Sequence, residues 1–144
     1  MLTTTLLHPE ILAALAASGH FSQVLVADGN FPVAGNRGPN ARIVHLNLAP
    51  GMVDAVTVLD VLLTVVPVQA ATVMQAPADY APEIHEVYRT KLGETVAWQT
   101  MERWPFYERI ASPRTTLMIA TGEQRRFANL LLEIGVVKLA SERF

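Results

Sequence analysis

The sequence predicts an α/β fold in which a sheet is layered with helices, and three observations carry the prediction. Short β-favouring apolar runs at residues 24–27, 70–75 and 115–120 alternate with segments of helical apolar spacing. The chain of 144 residues suits one domain, residues 1–144, large enough to bury ~70% of its unfolded surface. The apolar fraction is 51% and the mean hydropathy is positive, which fits fully buried strands, a subunit interface, or both.

Taken in order, the first helix is expected over residues 9–18. Pro9 is tolerated in a first helical turn, Glu10 favours the positive end of the helix dipole, and Ile11, Leu12 and Leu15 form an apolar stripe. Gly19 suits the left-handed position just past a helix. A strand at 23–27 follows, closed by the turn formers Asp28, Gly29 and Asn30. Residues 28–40 carry three glycines, two prolines and three asparagines, which predicts a long loop without structure of its own. Residues 42–46 form a short strand, 47–51 a turn, and an apolar helix starting at Val53 or Thr57 runs to Val65 and is stopped by Pro67. On it, Asp60 reads as a solvated charge or a cap partner. Residues 70–75 are a buried strand, and 82–89 an amphipathic helix with Ile84, Val87 and Tyr88 inward and Glu83, His85 and Glu86 in solvent. A strand at 95–101, a short helix at 106–110 and a strand at 115–120 complete the alternation. Residues 130–134 fit either a strand or a helix.

Several function classes fall away on composition. The chain has no cysteine, which removes disulfides, thiol nucleophiles and thiolate metal sites and is compatible with the cytoplasm. Lys91 and Lys138 are its only lysines, so Schiff-base chemistry is not expected. A net charge of −2, with no basic stripe beyond Arg125-Arg126, argues against a nucleic-acid partner. No apolar run reaches the ~18 residues of a membrane span, and the first residues lack the basic segment and cleavage pattern of a secretory signal. No paired-His spacing points to a metal, no P-loop to a nucleotide, and no Gly-x-Ser-x-Gly to a serine nucleophile.

What remains is a set of polar residues at element ends, namely His20, Asp28, Arg103, Glu108 and Asn129. Phe31, Trp104, Tyr107 and Phe127 lie beside them in sequence. Asp28 leaves a strand at its carboxyl end, where ligands gather in open α/β sheets. His20 is of the residue type that titrates nearest neutral pH. Taken singly, each has an ordinary structural reading: Asp28 as a turn residue, His20 as a helix cap, Trp104 and Phe106 as core, Arg103 as a surface ion-pair partner. Taken together, amide, carboxylate and guanidinium groups with aromatic faces match a polyol such as a sugar.

Four motifs occur in order: Gly19-His20; Ala27-Asp28-Gly29-Asn30-Phe31-Pro32; Arg103-Trp104-Pro105-Phe106-Tyr107-Glu108-Arg109; and Thr121-Gly122-Glu123 with Phe127-Ala128-Asn129-Leu130. In these the chain resembles the D-ribose pyranase / L-fucose mutarotase family over nearly its whole length. The resemblance implies a three-layer α/β/α sandwich around a mixed β-sheet. It also implies a ring-like homo-oligomer, often a decamer, with sites at subunit contacts, and interconversion of the cyclic forms of a monosaccharide without metal or organic cofactor. It places the proton-donating His on His20, the sugar-binding acid on Asp28, and the branch-specific His/Arg position on Arg103. The Tyr-x-Asn contact motif falls on Phe127-Ala128-Asn129. Tyr107 and Glu108 are candidates for a second proton carrier. Arg103, Phe31-Pro32 and residues 106–109 lean to the fucose branch, whereas Phe127 replaces the motif Tyr and Asn30 stands at a position of His in fucose-type relatives. A sugar-binding accessory protein of a transport system without turnover is the alternative. A straight strand between His20 and Asp28 would hold them roughly 20 Å apart, so one sugar could meet both only through a sharp bend or through adjacent subunits.

Overall fold

The computed structural model describes residues 1–142. Six strands form one mixed sheet in the order β2-β5-β1-β6-β3-β4: β1 (Gln23–Ala27), β2 (Arg42–His45), β3 (Val68–Met74), β4 (Ala97–Met101), β5 (Thr115–Ala120) and β6 (Leu130–Ile134). Strands β2, β5 and β1 run parallel to one another, as do β3 and β4, and β6 runs antiparallel between the two groups. That reversal matters for function. The residues entering β6 arrive at the same sheet edge as the residues leaving β1, β3 and β4.

Helices α1 (Pro9–Ala16), α2 (Ala55–Leu62) and α3 (Glu83–Leu92) cover one face, and α4 (Arg103–Ile110) lies on the other. This is the three-layer α/β/α arrangement. Alternation within β1 divides the two cores: Val24 and Val26 join Leu59, Ile84 and Tyr88, while Leu25 and Ala27 join Phe106, Ile110 and Met118. Every residue of β1 is buried, as expected for a central strand covered on both faces. Gly122 is demanded by space, since a Cβ there would stand 2.5 Å from the Ala49 carbonyl oxygen and 2.6 Å from that of Met52.

Several expectations are corrected. The first helix stops at Ala16, and Gly19 keeps an ordinary backbone while Phe21, at φ 70°, takes the left-handed position. Helix α2 starts at Ala55 because the Asp54 side chain caps it, accepting from Thr57 N–H at 2.7 Å. Strand β3 starts at Val68 and ends at Met74, β4 starts only at Ala97, and α3 extends to Leu92, where Gly93 at φ 84° ends it. Helix α4 begins at Arg103 rather than Phe106, because Pro105 falls in its first turn, where no intrahelical N–H is required. The loop after β1 contains a 3₁₀ turn at Ala34–Asn36. Residues 130–134 are a strand, paired on both sides. Phe106 is core, but Trp104 is 69% exposed. Asp60 ties α2 to α3 through Lys91 at 2.8 Å. Among the described residues no helix is long and apolar enough to cross a membrane.

Candidate functional site

The carboxyl edge of the sheet gathers most of the sequence-predicted site residues into a cavity of about 220 Å³. Asp28 enters it from the end of β1, Arg103 from the first turn of α4, Tyr107 from one turn later, and Phe127 and Asn129 from the segment before β6. Asn30 and Phe31 of the second motif also line it, and the structure adds Met74 and Arg126 to the wall. Met74 and Arg126 carried no motif signal, although Arg126 adjoins Phe127 in sequence. Phe31 and Tyr107 meet edge to face at 5.1 Å, and Arg126 stacks on Tyr80 at 4.7 Å. Arg103 has no ion-pair partner among the described residues, so its guanidinium is available to the cavity rather than tied to a surface acid.

Asp28 is 5% exposed. Its Oδ1 accepts the Asn30 N–H at 2.9 Å, and its own N–H donates to Asn129 Oδ1 at 2.8 Å. The second bond fixes Asn129 as well: its oxygen is committed to the backbone, so its NH₂ is the group presented to a ligand. Burial pushes the Asp28 carboxyl above the usual aspartate range. The N–H groups of Asn30, Phe31 and Ala128 act in the opposite sense, and the Glu123 charge adds to the rise.

Helix α3 supports the far wall. His85, expected in solvent, is half-buried, with Nε2 bonded to the Phe127 carbonyl oxygen at 2.7 Å; burial lowers its pKa, so Nε2–H of the neutral ring is the donor. Tyr88 donates its hydroxyl to the Ala128 carbonyl oxygen at 2.7 Å, and burial drives that phenol strongly upward. These two anchors hold Phe127 at φ 61°, a backbone conformation costing of order 1–3 kcal/mol for a residue with a Cβ. Tyr88→Phe strips the Ala128 carbonyl of its partner at a fully buried position. The expected cost is about 1–3 kcal/mol, read as a Tm lower by several degrees in calorimetry.

His20 and Glu108 lie elsewhere. His20 is exposed in a turn at the opposite edge, where Ser22 N–H donates to Gly19 O at 3.0 Å and Phe21 N–H donates to Ile134 O at 3.0 Å. Its ring stacks on Phe21 at 3.8 Å between centroids, and its Nε2 meets Gln69 Oε1 at 2.9 Å. Strand β1 is paired along its length with β5 and β6 and does not bend back, so one chain keeps His20 and Asp28 roughly 20 Å apart. Glu108 lines a separate groove of about 620 Å³ on the α4 face, with Gln23, Thr72, Gln99 and Glu133. It is not among the residues that line the Asp28 cavity. Among the described residues no group of three His, Asp or Glu is placed to hold a metal.

Comparison with known proteins bears on the family and the fold. The chain is 34% identical over 144 residues to human fucose mutarotase, covering 93% of this chain and 92% of the human protein. It is 32% identical over 141 residues to a D-ribose pyranase of Variovorax paradoxus, covering 94% and 98% respectively. A fucose mutarotase of Streptococcus pneumoniae, crystallised with L-fucose, superposes with a TM-score of 0.78 at 25% identity, covering 91% of this chain and 94% of the other. The model of the RbsD / FucU transport protein family matches residues 1–137, and the chain belongs to that family.

Proposed function

We propose that this protein is a sugar isomerase, a mutarotase that interconverts the anomers of a monosaccharide such as L-fucose by general acid–base ring opening and closure. The observation that carries the reading is the Asp28 cavity, where a buried carboxyl, a guanidinium with no ion-pair partner among the described residues, an amide NH₂ and aromatic faces converge at the carboxyl edge of the sheet. Anomer exchange needs one proton removed from the anomeric hydroxyl and one delivered to the ring oxygen. The C1–O5 bond then breaks to give the aldehyde, C1 rotates, and the ring recloses on the other face. Asp28 and Asn129 grip the hydroxyls, Arg103 steadies the developing oxyanion, Phe127 covers the C–H face, and Tyr107 is the second proton carrier. Glu108 has no part in this site.

In this reading His20 is the proton shuttle and comes from a neighbouring copy in a ring-like homo-oligomer such as a decamer. Two observations support that: His20 is exposed, and the cavity falls short of the ~300–1,000 Å³ usual for small-molecule sites until another surface closes it. The separation of His20 from Asp28 within one chain also favours the alternative, a sugar-binding accessory protein without turnover. Saturation-transfer NMR on equilibrated L-fucose, D-ribose and D-galactose separates the two. Exchange enhanced by the wild type and lost in His20→Ala is the expected result. Binding without enhanced exchange would overturn the enzyme reading.

Asp28→Asn tests the carboxylate. The folded chain holds the Asp28 proton more tightly than the unfolded chain does, so ionisation costs stability. The penalty is absent below about 3.8 and complete above the raised folded value. Asp28→Asn is therefore expected to raise Tm at neutral pH while cutting exchange about 10²-fold or more. In the wild type, exchange should fall on acidification at a pH above 3.8. A Tm lower than wild type at neutral pH would show that burial of the charge is not the dominant effect.

A further inference from the structure

We infer that Gln69 and Glu133 form a relay that sets the tautomer of His20, making Nδ1 the ring atom that exchanges the proton. The inference rests on the reading of His20 as the shuttle and adds to it two positioning residues on separate strands.

The relay starts from a break in strand pairing. Between β3 and β6 the register runs from Val68 opposite Ile134 to Ala70 opposite Glu133, two steps on β3 against one on β6. Gln69 is the extra residue, and such a bulge re-aims a side chain that regular alternation would send to the other face. Its amide is thereby brought between Glu133 and His20. Gly135 leaves room for it, since a Cβ at that position would lie 3.3 Å from the Gln69 Cβ.

Chemistry then fixes the direction of every bond. Gln69 Nε2 lies 2.6 Å from Glu133 Oε1, and an ionised carboxylate only accepts, so the amide NH₂ must face Glu133. The amide oxygen is left facing His20 Nε2 at 2.9 Å, and an amide oxygen also only accepts. His20 Nε2 therefore carries a proton, and Nδ1 is the basic atom of the neutral ring. The stack on Phe21, whose backbone is held in the left-handed region by the turn, keeps the imidazole plane in register with the amide.

The test inverts the relay. In Glu133→Lys an ammonium donates to the Gln69 oxygen, the amide turns its NH₂ toward His20, and Nε2 must accept. Histidine-selective ¹⁵N magic-angle-spinning NMR reads the tautomer whatever the assembly size, and His20→Ala assigns the signal among the four histidines. At a pH where the ring is neutral, the wild type is expected to show the Nε2–H form alone, Glu133→Lys the Nδ1–H form, and Gln69→Leu a mixture. Glu133→Gln, which retains an oxygen for the Gln69 NH₂, should keep the wild-type form. With L-fucose as the probe, kcat for exchange in Glu133→Lys should fall about 10–100-fold, the scale on which orienting hydrogen bonds to imidazole act at metal sites, with KM within about twofold.

Identical tautomer populations in the wild type, Gln69→Leu and Glu133→Lys overturn the relay. If Glu133→Lys does not fold, Gln69→Leu against the wild type decides alone. An inverted tautomer with unchanged exchange overturns the assignment of Nδ1. Unchanged exchange in His20→Ala, by contrast, is the separate failure of the shuttle reading itself.

Discussion

Preparations of His20→Ala and Asp28→Asn, each expected to lose roughly 10²–10⁴-fold in exchange rate, recover about a quarter of wild-type activity when refolded together in equal amounts. The expectation follows from the rigidity of β1. All five of its residues pair with β5 on one side, Gln23 to Val26 pair with β6 on the other, and all five are buried, so no bend brings His20 to the Asp28 cavity. A sugar that meets both groups must lie between two copies. Random assembly places an intact His20 against an intact Asp28 at about one contact in four, which sets the recovered fraction. Saturation transfer on L-fucose measures it directly. A refolded mixture no faster than the sum of its parents would sink the shared-site reading. Recovery on mixing without refolding would add that subunits exchange freely.

The elements were legible wherever local chemistry and burial agreed. The alternation of apolar runs placed five of the strands, and the apolar stripe of α1 located that helix; α2 was found too, but it ends at Leu62 rather than Val65, in a turn that precedes Pro67. Residues 130–134 could not be assigned from periodicity because β6 is buried on both faces, so Leu130, Leu131 and Leu132 carry no alternation. The start of α4 was missed because Trp104-Pro105 reads as a breaker, whereas Pro105 sits where its missing N–H has no consequence.

The candidate site divided along a similar line. Asp28, Arg103, Tyr107, Phe127 and Asn129 were named from their positions at element ends and from the family resemblance, and they share one cavity. Glu108 was named on the same grounds and, with Tyr107, as a candidate second proton carrier. On a helix, however, neighbours i and i+1 point about 100° apart, and Glu108 turns to a different groove. Gln69 left no trace because its role depends on a bulge, a property of the pairing of two strands rather than of either sequence. His85 looked solvated on a helical wheel, but the wheel could not show that the chain before β6 passes over it.

Glu123→Ala is expected to be the most destabilising single substitution outside the apolar core, costing about 3–5 kcal/mol. Glu123 is 3% exposed and each of its oxygens is used twice. Oε1 accepts from Arg125 Nε at 2.8 Å and Arg125 N–H at 3.0 Å; Oε2 accepts from Arg125 Nη2 at 2.9 Å and from Ala55 N–H, in the first turn of α2, at 3.1 Å. Its backbone carbonyl receives the Gly29 N–H at 2.8 Å, so the same residue ties α2 to the loop that carries Asp28. Burial alone would raise its carboxyl, but the bonds from Arg125 and Ala55 outweigh that and hold it at about 2, against 4.5 for an unconstrained glutamate. A drop of that size is worth about 3 kcal/mol, which solvent around the half-exposed Arg125 trims to about 2. Because the folded value is depressed, this stability is fully present above pH 4.5 and is lost as pH falls toward about 2. Urea unfolding at pH 7 and pH 3 reads the linkage: the gap between wild type and Glu123→Gln should be widest at pH 7 and shrink at pH 3. A gap independent of pH would mean that Glu123 acts through shape and neutral hydrogen bonds, and that its ion pair with Arg125 contributes nothing to the loop beside Asp28.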